Sequence, residues 1–88
     1  MTYTFEVLVT LKPGLADPQG KAVEASLPAL GFSGVTGVHV GRHVKLDVAA
    51  GTEADARAAV EEIARRLLSN PVIEDFRVLE SATTEGEA

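Results

Sequence analysis

From Tyr3 to Lys12 apolar and polar residues alternate. Tyr3, Phe5, Val7, Val9 and Leu11 fall on one face; Thr4, Glu6, Thr10 and Lys12 fall on the other, where Leu8 is the one large apolar residue. A period of two predicts a strand with one face buried and the other mixed. The clearest element lies later, where Ala56, Ala59, Val60, Ile63, Ala64, Leu67 and Leu68 recur at helical spacing. Thr52 is the expected N-cap of this helix, and Asn70-Pro71 its end. Glu53–Arg57, Glu61–Arg65 and Glu62–Arg66 stand four apart with the acid first, the better orientation on a solvated helix face.

Between these elements the pattern predicts a helix from Pro18 to about Leu30, with Val23, Leu27 and Leu30 as its inner stripe. Asp17 suits an N-cap and Pro18 the first turn. Pro28 should kink the helix or end it early, and Gly31 is a natural stop. The segment Gly34 to Ala49 predicts two strands. Val38 and Val40 share parity with Val44, Leu46 and Val48, so a hairpin that keeps all five on one face needs an odd loop, Gly41-Arg42-His43. Its other face then carries His39, Lys45 and Asp47. Val72 to Glu80 reads as a last strand with Phe76 and Val78 on one face.

The predicted order is strand, helix, strand, strand, helix, strand. Right-handed crossovers turn that order into an α+β, ferredoxin-like unit: an antiparallel four-stranded sheet with two helices on one face. The opposite face would stay bare, with Leu8, Ile73 and Leu79 on it, and a small chain with a bare sheet face is a candidate for self-association. Eighty-eight residues allow one core, assigned here to residues 1–82, followed by a small acidic tail at 83–88.

Composition narrows the function. The net charge is −5, and Glu80, Glu85 and Glu87 supply −3 of it, leaving −2 for the rest. Without a basic footprint, nucleic-acid binding is disfavoured. Four aromatic residues, Tyr3, Phe5, Phe32 and Phe76, are too few for a base-stacking platform. No apolar run approaches the ~20 residues of a membrane span, and the alternating start carries no basic leader. The chain has no cysteine, which removes disulfides, thiolate metal sites and cysteine nucleophiles. A cytoplasmic protein is expected.

Candidate chemistry is sparse. His39 and His43, near Asp47, are a bare minimum of metal ligands, at a spacing that suits helices rather than hairpins, so no metal site is expected. No serine stands in a nucleophile elbow and no phosphate-binding loop is present. Glu74 and Asp75 are adjacent in a strand, so they point to opposite faces and cannot act as a carboxylate pair. No catalytic residue is assigned. Three segments are left underexplained: DPQG at 17–20, Gly41-Arg42, and NPVIEDFR at 70–77. Gly20 is the oddest, because glycine inside a first helical turn costs roughly 1 kcal/mol relative to alanine. A close contact with another chain is one reason for it.

These segments, LKPGLADPQGKAV, VTGVHVGRHVKLDV and LLSNPVIEDFRV, resemble the PurS family, small subunits of phosphoribosylformylglycinamidine synthase in purine biosynthesis. The resemblance spans roughly residues 3 to 80. Phe76 stands where the family often has tyrosine, so a role for that hydroxyl does not carry over. The resemblance implies a PurS-like fold and a non-catalytic subunit, assembled as a homodimer or a dimer of dimers, that bridges a glutaminase subunit and a synthetase subunit and assists ammonia transfer. ATP and magnesium would be used by the synthetase partner, with no cofactor in this chain. The expected contact residues are Asp17, Gln19, Gly20, Gly41, Arg42, Glu74, Asp75 and Arg77, with the two arginines as anchors. A dimeric ferredoxin-like module that senses a small ligand is the alternative. A phosphatase of acylphosphatase type fits poorly, because Lys12 to Gly20 lacks the arginine it would need.

Overall fold

The computed structural model describes residues 1–79 and the two-residue strand Ala82–Thr83. Of the tail expected at 83–88, all but Thr83 lies outside the described residues. Its frame is β1 (Thr2–Leu11), α1 (Pro18–Ser26), β2 (Arg42–Ala49), α2 (Glu53–Ile63), β3 (Glu74–Val78) and β4 (Ala82–Thr83). β1 is the centre of the sheet. It pairs antiparallel with β2 on one side, Tyr3 opposite Val48 and Val9 opposite Arg42. On the other side it pairs antiparallel with β3, Val7 opposite Val78 and Leu11 opposite Glu74, and with β4 near its start.

The alternation in β1 does what its period predicts. Tyr3, Phe5, Val7 and Val9 are buried, together with Ala56, Val60 and Ala64 of the helical layer. Because directly opposed residues share a face, Val44, Leu46, Val48, Phe76 and Val78 join them, half-buried. The two alanines let α2 approach the sheet closely, and each fully buried valine or phenylalanine contributes roughly 1.5–3 kcal/mol of transfer free energy. Thr52 caps α2 as expected, its Oγ1 accepting from the Asp55 amide at 3.1 Å. Of the expected ion pairs, Glu62–Arg66 forms at 3.8 Å, but Arg65 donates to Glu62 at 2.7 Å and Arg57 lies over the Phe5 ring, 5.5 Å from its centroid. The helix then widens into a π turn over Ala64–Leu68, where the Ser69 amide and hydroxyl both donate to the Ala64 carbonyl. That turn separates the paired leucines. Leu68 turns inward, while Leu67 is 79% exposed.

Four expectations need correction. The hairpin across Gly41-Arg42-His43 does not form, and residues 38–40 are not a sheet strand. The Val38 and Val40 amides are already taken by the side chains of Glu24 in α1 and of its N-cap Asp17, and β2 begins only at Arg42. The chain therefore returns as an antiparallel neighbour of β1 rather than through a parallel right-handed crossover, so the ferredoxin-like connection is absent. The sheet reaches four strands only through the two-residue β4.

Secondly, α2 alone covers the sheet. α1 is shorter than expected, because Pro28 ends it and opens a 3-10 turn over Pro28–Leu30, which Gly31 closes with φ +94°. Thirdly, of its expected inner stripe only Leu27 is half-buried: Val23 is 45% and Leu30 70% exposed, followed by Phe32 at 59%. Residues 12–41 thus form an arm that leaves and re-enters the sheet at the same end. Fourthly, the open sheet face is mixed as the pattern predicts, but of the three apolar residues expected on it Ile73 is absent. It carries Glu6, His43, Lys45, Asp75 and Arg77 around a half-buried Leu8, with Asp47 holding the Thr4 hydroxyl at 2.7 Å. Ile73 sits in the turn before β3 and not on this face.

Candidate partner interface

Where the arm meets the sheet, a cleft of about 260 Å³ is lined by Val9, Leu11 and Val40 together with Asp17, Gln19, Gly41, Arg42 and Glu74. Five of the eight residues singled out from the sequence converge there, and Gly20 lies directly behind Asp17.

Asp17 is the N-cap of α1, but it does more than cap. One carboxylate oxygen accepts from the Gly20 amide at 2.9 Å; the other accepts from the Val40 amide at 2.9 Å, with His39 Nδ1 3.6 Å away. The Gly20 and Val40 amides, in that order, hold this carboxyl below its ordinary value, because donors to the charged form favour it. Two turns further along, Glu24 Oε1 accepts from the Val38 amide at 3.2 Å. Asp17, Gly20 and Glu24 are spaced three and four apart, so they share one helix face, and that face receives the backbone of Val38–Val40. Gly20 is the only buried residue of α1. A Cβ there would overlap the Val38 carbonyl oxygen and stand 2.8 Å from Asp17 Oδ2. The odd glycine is therefore explained within the chain.

Gly41 answers to similar geometry, since a Cβ would stand 2.5 Å from the Val9 carbonyl oxygen where β2 joins the sheet. Next to it, Arg42 Nη2 donates to the Leu68 carbonyl and to Glu74 Oε1, both at 2.9 Å. Glu74 Oε1 also accepts from the Asn70 amide at 2.7 Å. One guanidinium and one carboxylate thus tie the starts of β2 and β3 to the end of the α2 layer. Asp75, on the opposite face as its parity requires, pairs with Lys12 at 2.8 Å. Arg77 stands apart on the open sheet face, exposed and without an ion pair among the described residues. His39 beside Asp17 and His43 against Glu6 at 2.7 Å do not converge. Among the described residues no cluster of three metal-ligating side chains occurs, and no helix is long and apolar enough to cross a membrane.

Glu24 and the Val38–Val40 backbone escaped the sequence reading. The spacing of Asp17, Gly20 and Glu24 was the available signal, but a polar face at helical period looks like solvent.

The profile of the PurS family, described as phosphoribosylformylglycinamidine (FGAM) synthase, matches residues 4–81. The chain belongs to the PurS family. A PurS subunit of phosphoribosylformylglycinamidine synthase from Synechocystis sp. is 37% identical over 87 residues, covering 94% of this chain and 87% of the relative. PurS from Thermus thermophilus superposes with a TM-score of 0.84 at 33% identity, covering 93% of this chain and 96% of that one. A chain in the structure of PurLQS from Thermotoga maritima gives 0.84 at 28% identity, with 91% and 98% covered. The antiparallel sheet and two helices described above are thus a PurS-like α+β fold.

Proposed function

We propose that this PurS family member is the non-catalytic small subunit of a phosphoribosylformylglycinamidine synthase, acting in the cytoplasm. It bridges a glutaminase subunit and an ATP- and magnesium-using synthetase subunit and assists the passage of ammonia between them. The observation that carries this reading is the family match over nearly the whole chain, reinforced by the likeness to a chain of PurLQS. Ammonia is a nucleophile and ammonium is not, so transit through bulk water near neutral pH would protonate most of it. A closed, water-poor interface limits that loss and suppresses side reactions. Such a role needs complementary surfaces and no general base.

The subunit works as a homodimer. Two unpaired apolar surfaces support this: the outward face of the arm (Val23, Leu30, Phe32, Val35) and the half-covered sheet residues beside α2. In a twofold pair the arm of one copy lies over the inner sheet face of the other, which gives each sheet the second helix that its own chain does not place there. The cleft residues and Arg77 contact the larger subunits. Arg77 is the better anchor, since its guanidinium is unspent and suited to bidentate contact, while Arg42 also serves within the chain.

Reconstitution with the two partner subunits tests the bridge. Arg77→Ala and Arg42→Ala should lower glutamine-dependent turnover while ammonia-dependent turnover by the synthetase survives. Equal loss of both activities would refute a bridging role.

A further inference from the structure

An amphipathic helix normally turns its apolar face inward, and α1 does the reverse. Its buried face is polar, built from Asp17, Gly20 and Glu24, and what it buries is the backbone of its own return segment. Each pin acts on the main chain of Val38 or Val40, so the return segment is tied to α1 through its backbone. The large apolar side chains of the arm are left pointing outward, 45% exposed at Val23 in α1 and 70% at Leu30 in the 3-10 turn that follows it.

We propose that Asp17 is a positioning residue whose two carboxylate oxygens have separate tasks: one caps α1, and the other locks the returning chain at Val40, aiming the arm for docking onto a second copy. This deepens the homodimer reading above and rests on it. The lock makes the arm a preorganised element. A ligand-competent state populated for only a fraction of the time weakens apparent affinity by that fraction. If a freed arm holds the docking direction about a third of the time, two arms per dimer raise the dissociation constant about tenfold.

Asp17→Ser separates the two tasks. Serine is a good N-cap and can still accept from the Gly20 amide, but its single short hydroxyl cannot also hold Val40. The full-length variant should keep its helix content by circular dichroism. Its Val38 and Val40 amides should exchange faster by at least tenfold, and its dimer dissociation constant, by sedimentation velocity across a dilution series, should rise about tenfold. Loss of helix content together with the exchange protection of β1 would mean that Asp17 serves the fold as a whole, and would overturn the division of tasks. Unchanged exchange at Val40 would overturn the lock. Faster exchange with an unchanged dissociation constant would overturn the aiming role.

A second variant, Phe32→Glu, tests the underlying reading by itself, because it spoils the outward face and touches no pin. If Phe32→Glu weakens the dimer and Asp17→Ser does not, the aiming role alone fails. If neither does, or if the wild-type chain is monomeric throughout, the docking arm fails and the aiming role with it.

Discussion

Alanine at position 20 sets two physical effects against each other. Gly20 is inside α1, so replacing it by alanine should favour the helix by about 1 kcal/mol on propensity alone. The new Cβ, however, would overlap the Val38 carbonyl oxygen and approach Asp17 Oδ2 to 2.8 Å and its Cγ to 3.0 Å. None of these atoms is the free end of a flexible side chain. One belongs to the backbone and the others to a carboxylate held by two amides. Relief must push Val38–Val40 off the helix, loosening the Val38–Glu24 bond as well. Overpacking costs about 1–3 kcal/mol; because the overlapped atom is a backbone oxygen, the upper part of that range, about 2–3 kcal/mol, applies, and the net loss is about 1–2 kcal/mol. That loss corresponds to a factor of about 5–30 in the local opening equilibrium. Native-state hydrogen exchange read at the Val38 and Val40 amides is the assay, since it resolves local opening from global unfolding. Both should exchange faster in Gly20→Ala, while the β1 amides change little. Gly51→Ala is the control, with nothing within 4 Å of the added carbon, and should leave exchange at Val38 and Val40 as it was. Slower or unchanged exchange in Gly20→Ala would show that helix propensity decides and that the close approach to Val38 is not real.

The pH response of the same clamp has a fixed sign. The folded Asp17 carboxyl lies below its ordinary value of 3.8, so its contribution is fully present above that value and is lost as pH falls through the folded one. Protection at Val40 should drop in acid, and a carboxyl-carbon NMR titration of Asp17 should show a midpoint under 3.8; a midpoint above it would contradict the two-amide clamp. In the core, Phe5→Ala should cost about 3–5 kcal/mol, a large share of the stability of a small domain. Urea denaturation should show that loss. Leu67→Lys should stay within about 0.5 kcal/mol of wild type, whereas Leu68→Lys should lower the urea midpoint clearly. Similar effects at the two positions would refute the phase set by the π turn. Arg42→Ala should change stability by at most about 1 kcal/mol, since its pair with Glu74 is largely open to solvent on the arginine side.

How far the fold could be read depended on which groups made each contact. β1 and α2 were legible because side chains do their packing: alternation put Tyr3, Phe5, Val7 and Val9 inside, and the helical period did the same for Ala56, Val60 and Ala64. Parity also placed Val44, Leu46 and Val48 correctly. The neighbouring Val38 and Val40 carry the same parity but pair with carboxylates, and an extended segment held by a helix has the same signature as a strand. α1 misled for a related reason. Its stripe of Val23, Leu27 and Leu30 reads as a core face, yet Val23 and Leu30 are exposed in this chain because the helix buries its polar face instead. The candidate site fared better by grouping than by role. DPQG, Gly-Arg and the Glu of NPVIEDFR do meet at one cleft, yet Gly20, Gly41 and Glu74 each have intrachain duties there. Adjacent side chains gave no hint of this, because Gly20 and Gly41 answer to carbonyls distant in sequence and Glu74 holds the guanidinium of Arg42.

Because the arm stands off the sheet, the subunit contains two regions whose failures look different. Damage to the β1–α2 region removes the protein from solution. If the arm is the docking element proposed above, damage confined to residues 12–41 would leave a product that purifies and melts normally yet fails to assemble. Expression yield and melting curves are therefore blind to the second kind of lesion, and only a readout that includes the neighbouring subunits will find it.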